Sequence, residues 1–202
     1  HGLDAAADFQ IFKRLRTGES ATATQDWHVG TNVTGSIIGA ELNNATGTVT
    51  AAVTAFNTHT TALAASGVVN DDTDTYISYA FTKTPGLIGI GSYIGAGSDA
   101  EPYVVIDDGA AGFRPAWIMI KRTGGTENWF IKDVARNRAN VAQTNLIADA
   151  ANAEGDLTGS GIDFTANGFK VKVTSNSVNA NGENIIYLAF SDQAFSLQAR
   201  AL

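Results

Sequence analysis

Two separate blocks of this 202-residue chain recur at almost one spacing, and that recurrence limits the fold more than any single motif does. The segment from Ala7 to Trp27 aligns with Pro115 to Trp129, matching Phe9 with Trp117, Ile11 with Met119, and Lys13-Arg14 with Lys121-Arg122, an offset of 108 residues. Further on, Val69 to Phe81 aligns with Val178 to Phe190, matching Val69-Asn70 with Val178-Asn179 and Ala80-Phe81 with Ala189-Phe190, an offset of 109 residues. A fold assigned to one copy must therefore suit the other.

Within each copy, apolar residues alternate over short runs bounded by turn residues, which is strand patterning. Ala116 to Arg122 puts Trp117, Met119 and Lys121 on one side and Ile118 and Ile120 on the other; both sides are largely apolar, so a central strand is predicted. Gly124 and Gly125 are expected to supply positive φ for the turn that follows. After Asn167-Gly168, the residues Phe169, Val171 and Val173 alternate with Lys170, Lys172 and Thr174, and Asn181-Gly182 turns the chain into a strand from Ile185 to Phe190.

The Ala- and Thr-rich stretch from Val49 to Ala65 would also suit a helix. Strand and loop are expected instead, because the matching part of the second copy carries strand patterning from Ile162 to Val171. Leu87 to Ile94 is expected to open the second copy, and no counterpart precedes His1. The prediction is an all-β chain of two tandem β-sandwich, jelly-roll-like units with antiparallel strands. Residues 1–84 form the first, lacking its opening strand; residues 85–202 form the second, with a short C-terminal tail. The chain is expected to be the C-terminal part of a longer protein.

Hydrophobic residues make up 44% of the chain and charged ones only 16%, with 21 glycines, enough apolar material for one large core or two small ones. A net charge of -7 argues against binding nucleic acid through its phosphates, which needs clustered cations. Lys13, Arg14, Arg16, Lys121 and Arg122 are expected to be solubilising charges at strand ends. With no cysteine, the chain has no disulfide, thiolate metal site or cysteine nucleophile, which suits synthesis in a reducing cytoplasm. No apolar run reaches the roughly 18 residues of a membrane span and no signal peptide is visible, so a soluble chain without membrane insertion is expected.

No catalytic residues and no cofactor are predicted. Gly89, Gly91, Gly95 and Gly97 invite comparison with a dinucleotide loop, but they lie in a strand pattern with no helix after it, so close backbone packing explains them better. His1, His28 and His59 are isolated in sequence and are expected at the surface or in turns. Asp71, Asp72 and Asp74 are weak calcium candidates, as is the pair Asp107-Asp108, with solvated turn acids as the default. Asp26, Asp133, Asp163 and Glu183 could in principle provide a glycosidase pair. Among the aromatic residues, Trp27, Trp129, Phe130 and Tyr187 read as core, while Tyr93 and Tyr103 are the ones expected to reach a glycan.

Gly112, Pro115, the run Trp117 to Ile120 closed by Lys121-Arg122, then Trp129 and the terminal Ala189-Phe190 resemble a repeated β-rich module of tailed-bacteriophage virion proteins, tail-fibre-like in kind. His1 to Asp4, HGLD, is similar to the opening of that family's upstream module, with a longer insertion between Arg16 and Trp27. The resemblance implies a structural protein at the virion surface, made in the host cytoplasm and engaged in host attachment. Its expected partners are other virion proteins, a host-surface glycan and further copies of itself. A capsid or tail decoration protein and a glycan depolymerase stay open beside it, because a fold does not decide a function.

Overall fold

A computed structural model describes residues 1–16, 26–49, 51–64, 69–70, 74–97, 100–156, 161–172 and 174–192. The strands in the first part of the chain are β1 (Phe9–Arg16), β2 (Trp27–Thr31), β3 (Ile38–Glu41), β4 (Val53–Asn57), β5 (Thr60–Leu63) and β6 (Thr75–Phe81). They are followed by β7 (Ile88–Ile94), β8 (Tyr103–Val105), β9 (Pro115–Arg122), β10 (Phe130–Asp133) and β11 (Thr144–Ile147). The remaining elements are β12 (Gly155–Asp156), β13 (Ile162–Thr165), β14 (Gly168–Val171), the one-turn helix α1 (Asn176–Asn179) and β15 (Asn184–Ser191). The protein is all-β, and every strand pair among the described residues is antiparallel.

The strands form four sheets in the orders β3-β2-β1-β6, β12-β11-β10-β9-β15-β7, β13-β14-β8 and β4-β5. Their apolar faces stack them in layers. Ile118 and Ile120 of β9 and Ile185, Tyr187 and Ala189 of β15 pack with Phe164, Phe169 and Val171 of the three-stranded sheet. The alternate residues Met119, Ile186 and Leu188 point the other way, onto Phe9, Val29 and Ala40 of the four-stranded sheet. That sheet's far face, through Phe12, packs on Val53 of the β4-β5 hairpin. Strands apolar on both sides belong between two layers, and β9 and β15 occupy that position. Each such side chain removed from water contributes about 1.5–3 kcal/mol before conformational entropy is subtracted.

The matched sequence blocks occupy corresponding places. The order β3-β2-β1-β6 parallels β11-β10-β9-β15, and Phe9 faces Phe81 across β1-β6 as Trp117 faces Phe190 across β9-β15. Phe12 opposes His28 as Ile120 opposes Phe130. The Trp27 N–H donates to Asn43 Oδ1 (2.6 Å) and the Trp129 N–H to Asp149 Oδ1 (2.9 Å). Lys13 Nζ lies 5.3 Å from the centroid of the Trp27 ring, and Lys121 Nζ 5.8 Å from that of Trp129. The matched rings of Phe81 and Phe190 touch each other edge to face at 5.9 Å. Among the described residues no sheet mixes strands from the two sides of residue 84, yet the two larger sheets share one apolar cluster.

Over the described residues 51–64 the chain is strand and loop, as expected, in β4 and β5, with His59 at their turn taking φ 67°. Two local expectations change. In the turn after β9, Gly125 carries the positive φ (78°) and Gly124 does not. Arg14 and Lys121 are buried rather than solubilising: Arg14 pairs with Asp74, and the residue 44–48 loop closes over Lys121. Lys121 Nζ donates to the carbonyl oxygens of Ala45 and Glu127.

The glycines of β7, and Gly95 just after it, answer to packing. A Cβ at Gly89 would meet Ile106, one at Gly91 would lie 2.5 Å from the Tyr187 hydroxyl, and one at Gly95 would enter the Ala180 carbonyl. Among the described residues the element after β7 is the strand β8, so the helix that a dinucleotide loop leads into is missing there. Among the described residues no helix is long and apolar enough to cross a membrane.

Candidate functional site

The antiparallel pairing of β2 with β3 sets His28 opposite Glu41. Side chains two apart on an extended chain share a side, so Asp26, just before β2, lies next to His28. One ligand atom from each of Asp26, His28 and Glu41 falls within 4.8 Å of the others. Adjacent amides hold the two acids: Asn43 Nδ2 donates to Asp26 Oδ1 (2.8 Å), and Asn44 Nδ2 to Glu41 Oε2 (3.1 Å). The Trp129 indole N–H donates to the Glu41 carbonyl at 2.8 Å, tying β3 to the six-stranded sheet.

His28 is 9% exposed, and its Nδ1 is buried without a hydrogen-bond partner. Burial lowers its pKa, Asp26 opposing and Lys13 assisting, which leaves the imidazole neutral with a lone pair to give. Burial and the neighbouring Asp26 raise the Glu41 pKa, with the Asn44 amide pulling the other way. Two carboxylates and an imidazole at one point form a donor set for a divalent metal.

This polar group stands where the matching sheet is apolar. By the correspondence of registers, Asp26, His28 and Glu41 align with Asn128, Phe130 and Ile147. Phe130 is 2% exposed and Ile147 packs on the same cluster. The fold accepts apolar side chains at two of these positions, so the acids and the histidine are not demanded by its architecture.

Sequence reasoning weighed His28 as a surface or turn histidine and Asp26 only as a possible glycosidase acid. The structure corrects the first, since His28 lies in β2 opposite Glu41 of β3 and is only 9% exposed. Asp26-Trp27-His28 on an alternating strand was the available signal; Glu41, 13 residues beyond His28, joins only once the β2-β3 register is known.

The other candidates lie apart from this group. Tyr93, expected to reach a glycan, is instead buried: it sits on the β7 face turned to the three-stranded sheet, and its hydroxyl donates to the Val178 carbonyl at 2.6 Å. Tyr103 is 51% exposed, with its hydroxyl on Asn167 and within 3.2 Å of the Thr165 hydroxyl. Asp71 and Asp72 lie outside the described residues. Asp74 forms an ion pair with the buried Arg14, which supplies its counter-charge without calcium.

Asp107 pairs with Lys83 at 2.7 Å. Asp108 accepts the backbone N–H groups of Gly86 (2.8 Å), Ala110 (2.9 Å) and Gly112 (3.1 Å) and so organises the turn itself. Asp133 pairs with Arg136, and Glu183 lies 3.6 Å from Arg122. Asp163 has one buried oxygen without a hydrogen-bond partner. His1 and His59 are exposed, the N-terminal amine donating to the His59 carbonyl at 3.1 Å.

A second feature bears on partners. β15 is flanked by β9 and β7, whereas among the described residues its counterpart β6 pairs only with β1 and forms the edge of its sheet. Along that edge Thr75, Ser78 and Tyr79 are exposed, Tyr79 by 44%.

A family model described as a domain of unknown function (DUF7483) matches residues 1–194. No curated protein and no solved structure matches the chain.

Proposed function

Because the chain belongs to the DUF7483 family, whose description gives no activity, we propose a function from its own residues: a structural module of a tailed-phage virion, in a tail fibre or similar surface appendage. The observation that carries this reading is the exposed β6 edge. Edge strands present unpaired backbone donors and acceptors, and a protein that assembles can use them for strand addition by a neighbour. β7 lies along β15 in that manner, from Asn184 opposite Ile94 to Phe190 opposite Ile88. The residues that resemble virion modules agree with a structural role, since Trp117, Trp129, Ala189 and Phe190 build sheets and their packing.

Adhesion to the host is the accompanying part of the proposal. Tyr103 supports it, as an exposed ring beside the Thr165 hydroxyl and the Asn167 amide, a combination suited to stacking on and hydrogen-bonding a sugar. A decoration protein that binds other virion subunits is favoured by the same β6 edge and differs in where on the particle the chain sits. Immunogold labelling of intact particles separates the two: label on distal appendages supports the fibre reading, and label over the capsid the decoration reading. Particles without label sink both. Thr75→Lys with Tyr79→Lys, which charges the edge at exposed positions, is expected to abolish incorporation into particles while leaving the thermal midpoint unchanged.

A further inference from the structure

We propose that Asp26, His28 and Glu41 bind a divalent transition-metal ion of the zinc class. Four observations converge on it. The three donor atoms lie within 4.8 Å of one another. A tetrahedral ion with ligands at about 2.0–2.1 Å separates them by about 3.4 Å, so the side chains close by no more than about 1.5 Å to reach it. His28 is nine-tenths buried with a ring nitrogen lacking any partner, an arrangement that costs free energy unless something accepts its lone pair or takes its proton. Asn43 and Asn44 fix the two carboxylates as outer-shell amides fix metal ligands. Finally, the corresponding positions of the other sheet hold Asn128, Phe130 and Ile147, so the three ligands are an addition to a scaffold that folds without them.

The donor chemistry selects the ion. Calcium takes six to eight oxygens and gains nothing from imidazole, whereas one nitrogen and two carboxylates suit zinc, with water or a partner's side chain completing the shell. The ion would clamp β2 to β3 at the border of the four-stranded sheet, whose residue 43–44 corner already holds the acids.

The test is calorimetric titration of the chelator-treated full chain with Zn²⁺, alongside Co²⁺ as a spectroscopic probe and Ca²⁺ as a comparison. One Zn²⁺ per chain, visible Co²⁺ ligand-field bands of four-coordinate intensity and a raised thermal midpoint with Zn²⁺ are expected. His28→Phe, which installs the residue of the matching sheet, should abolish all three. Glu41→Gln should weaken binding by at least about tenfold, as should the outer-shell change Asn44→Ala.

The exposed His1 and the N-terminal amine could chelate Zn²⁺ by themselves. Binding that survives His28→Phe therefore assigns the ion to the chain's start and overturns the proposal. So does Ca²⁺ binding that Zn²⁺ does not match, or no heat with any of the three ions. A His28→Phe chain that keeps its far-ultraviolet spectrum and thermal midpoint in chelator shows that lost binding is not lost folding.

Discussion

Lys121 shows how one residue can join parts of the chain far apart in sequence. Its ammonium lies between the Ala45 and Glu127 carbonyls, beside the face of Trp129, and burial pushes its pKa down to about 8 from 10.5, with Asp149 and Glu127 opposing the fall. Between those values the unfolded chain binds the proton that the native chain gives up, so stability rises with pH across that window, by up to about 3 kcal/mol at 1.36 kcal/mol per pKa unit. Buried tyrosines reverse the trend. Burial raises the pKa of Tyr93 and takes that of Tyr187 up to about 12, so the unfolded chain ionises first and stability falls above about pH 10. Urea midpoints measured from pH 7 to 11 should therefore pass through a maximum near pH 10, and Lys121→Met should lose the rising limb while keeping the falling one. Asp108 acts at the other end of the scale. Burial alone would raise its pKa, but the Gly86, Ala110 and Gly112 N–H groups outweigh that and hold it below its ordinary value. Its contribution is full above about pH 4 and is lost as pH falls through the lowered pKa. Asp108→Asn should cost about 1–3 kcal/mol at neutral pH and flatten the acid limb of the same urea series. Periodicity placed Lys121 on the Trp117 and Met119 side of its strand. What it could not show was the Ala45 carbonyl arriving from the other half of the chain, so the lysine read as an exposed charge.

Among the elements, β7 with Gly95 just after it is limited most tightly by its neighbours. Gly95→Ala should destabilise by about 1–3 kcal/mol, because the added methyl enters the backbone carbonyl of Ala180, which cannot move aside as a side chain would. Gly2→Ala, where a Cβ meets nothing within 4 Å, should leave the denaturation midpoint where it was, and a large loss in both variants would contradict this account. The strand patterns of β9, β14 and β15 were legible because two-residue periodicity directly encodes which side of a strand is apolar. The β4-β5 hairpin was not legible from its own composition. Ala and Thr serve helix and strand alike, and only the match to β13 and β14 decided it. Tyr93 went astray for a related reason. A lone tyrosine between glycines looks accessible in one dimension, yet β7 is covered on that side by the three-stranded sheet.

At the scale of the whole molecule, four sheets with three shared apolar clusters leave little that could unfold alone. Trp129 stands at the centre of this arrangement, 1% exposed, edge-on to Phe9 at 6.5 Å and bonded through its indole to the Glu41 carbonyl. Trp129→Ala should cost about 3–5 kcal/mol. Calorimetry of both wild type and variant should show one transition whose calorimetric and van't Hoff enthalpies agree, and two resolved transitions would mean that the sheets unfold independently. The Asp26, His28 and Glu41 group belongs to this scale too: Asp26 and His28 stood out in the sequence, but Glu41 joins them through a register that composition does not encode. The order of the six-stranded sheet also bears on synthesis. β15, the last described strand in the chain, is inserted between β9 and β7, so a nascent chain emerges from the ribosome with both neighbouring edges bare and must keep them apart for roughly sixty residues of translation between β9 and β15. Completion of this sheet thus waits on β15, and chains cut short before it are the species a cell's quality control would meet first.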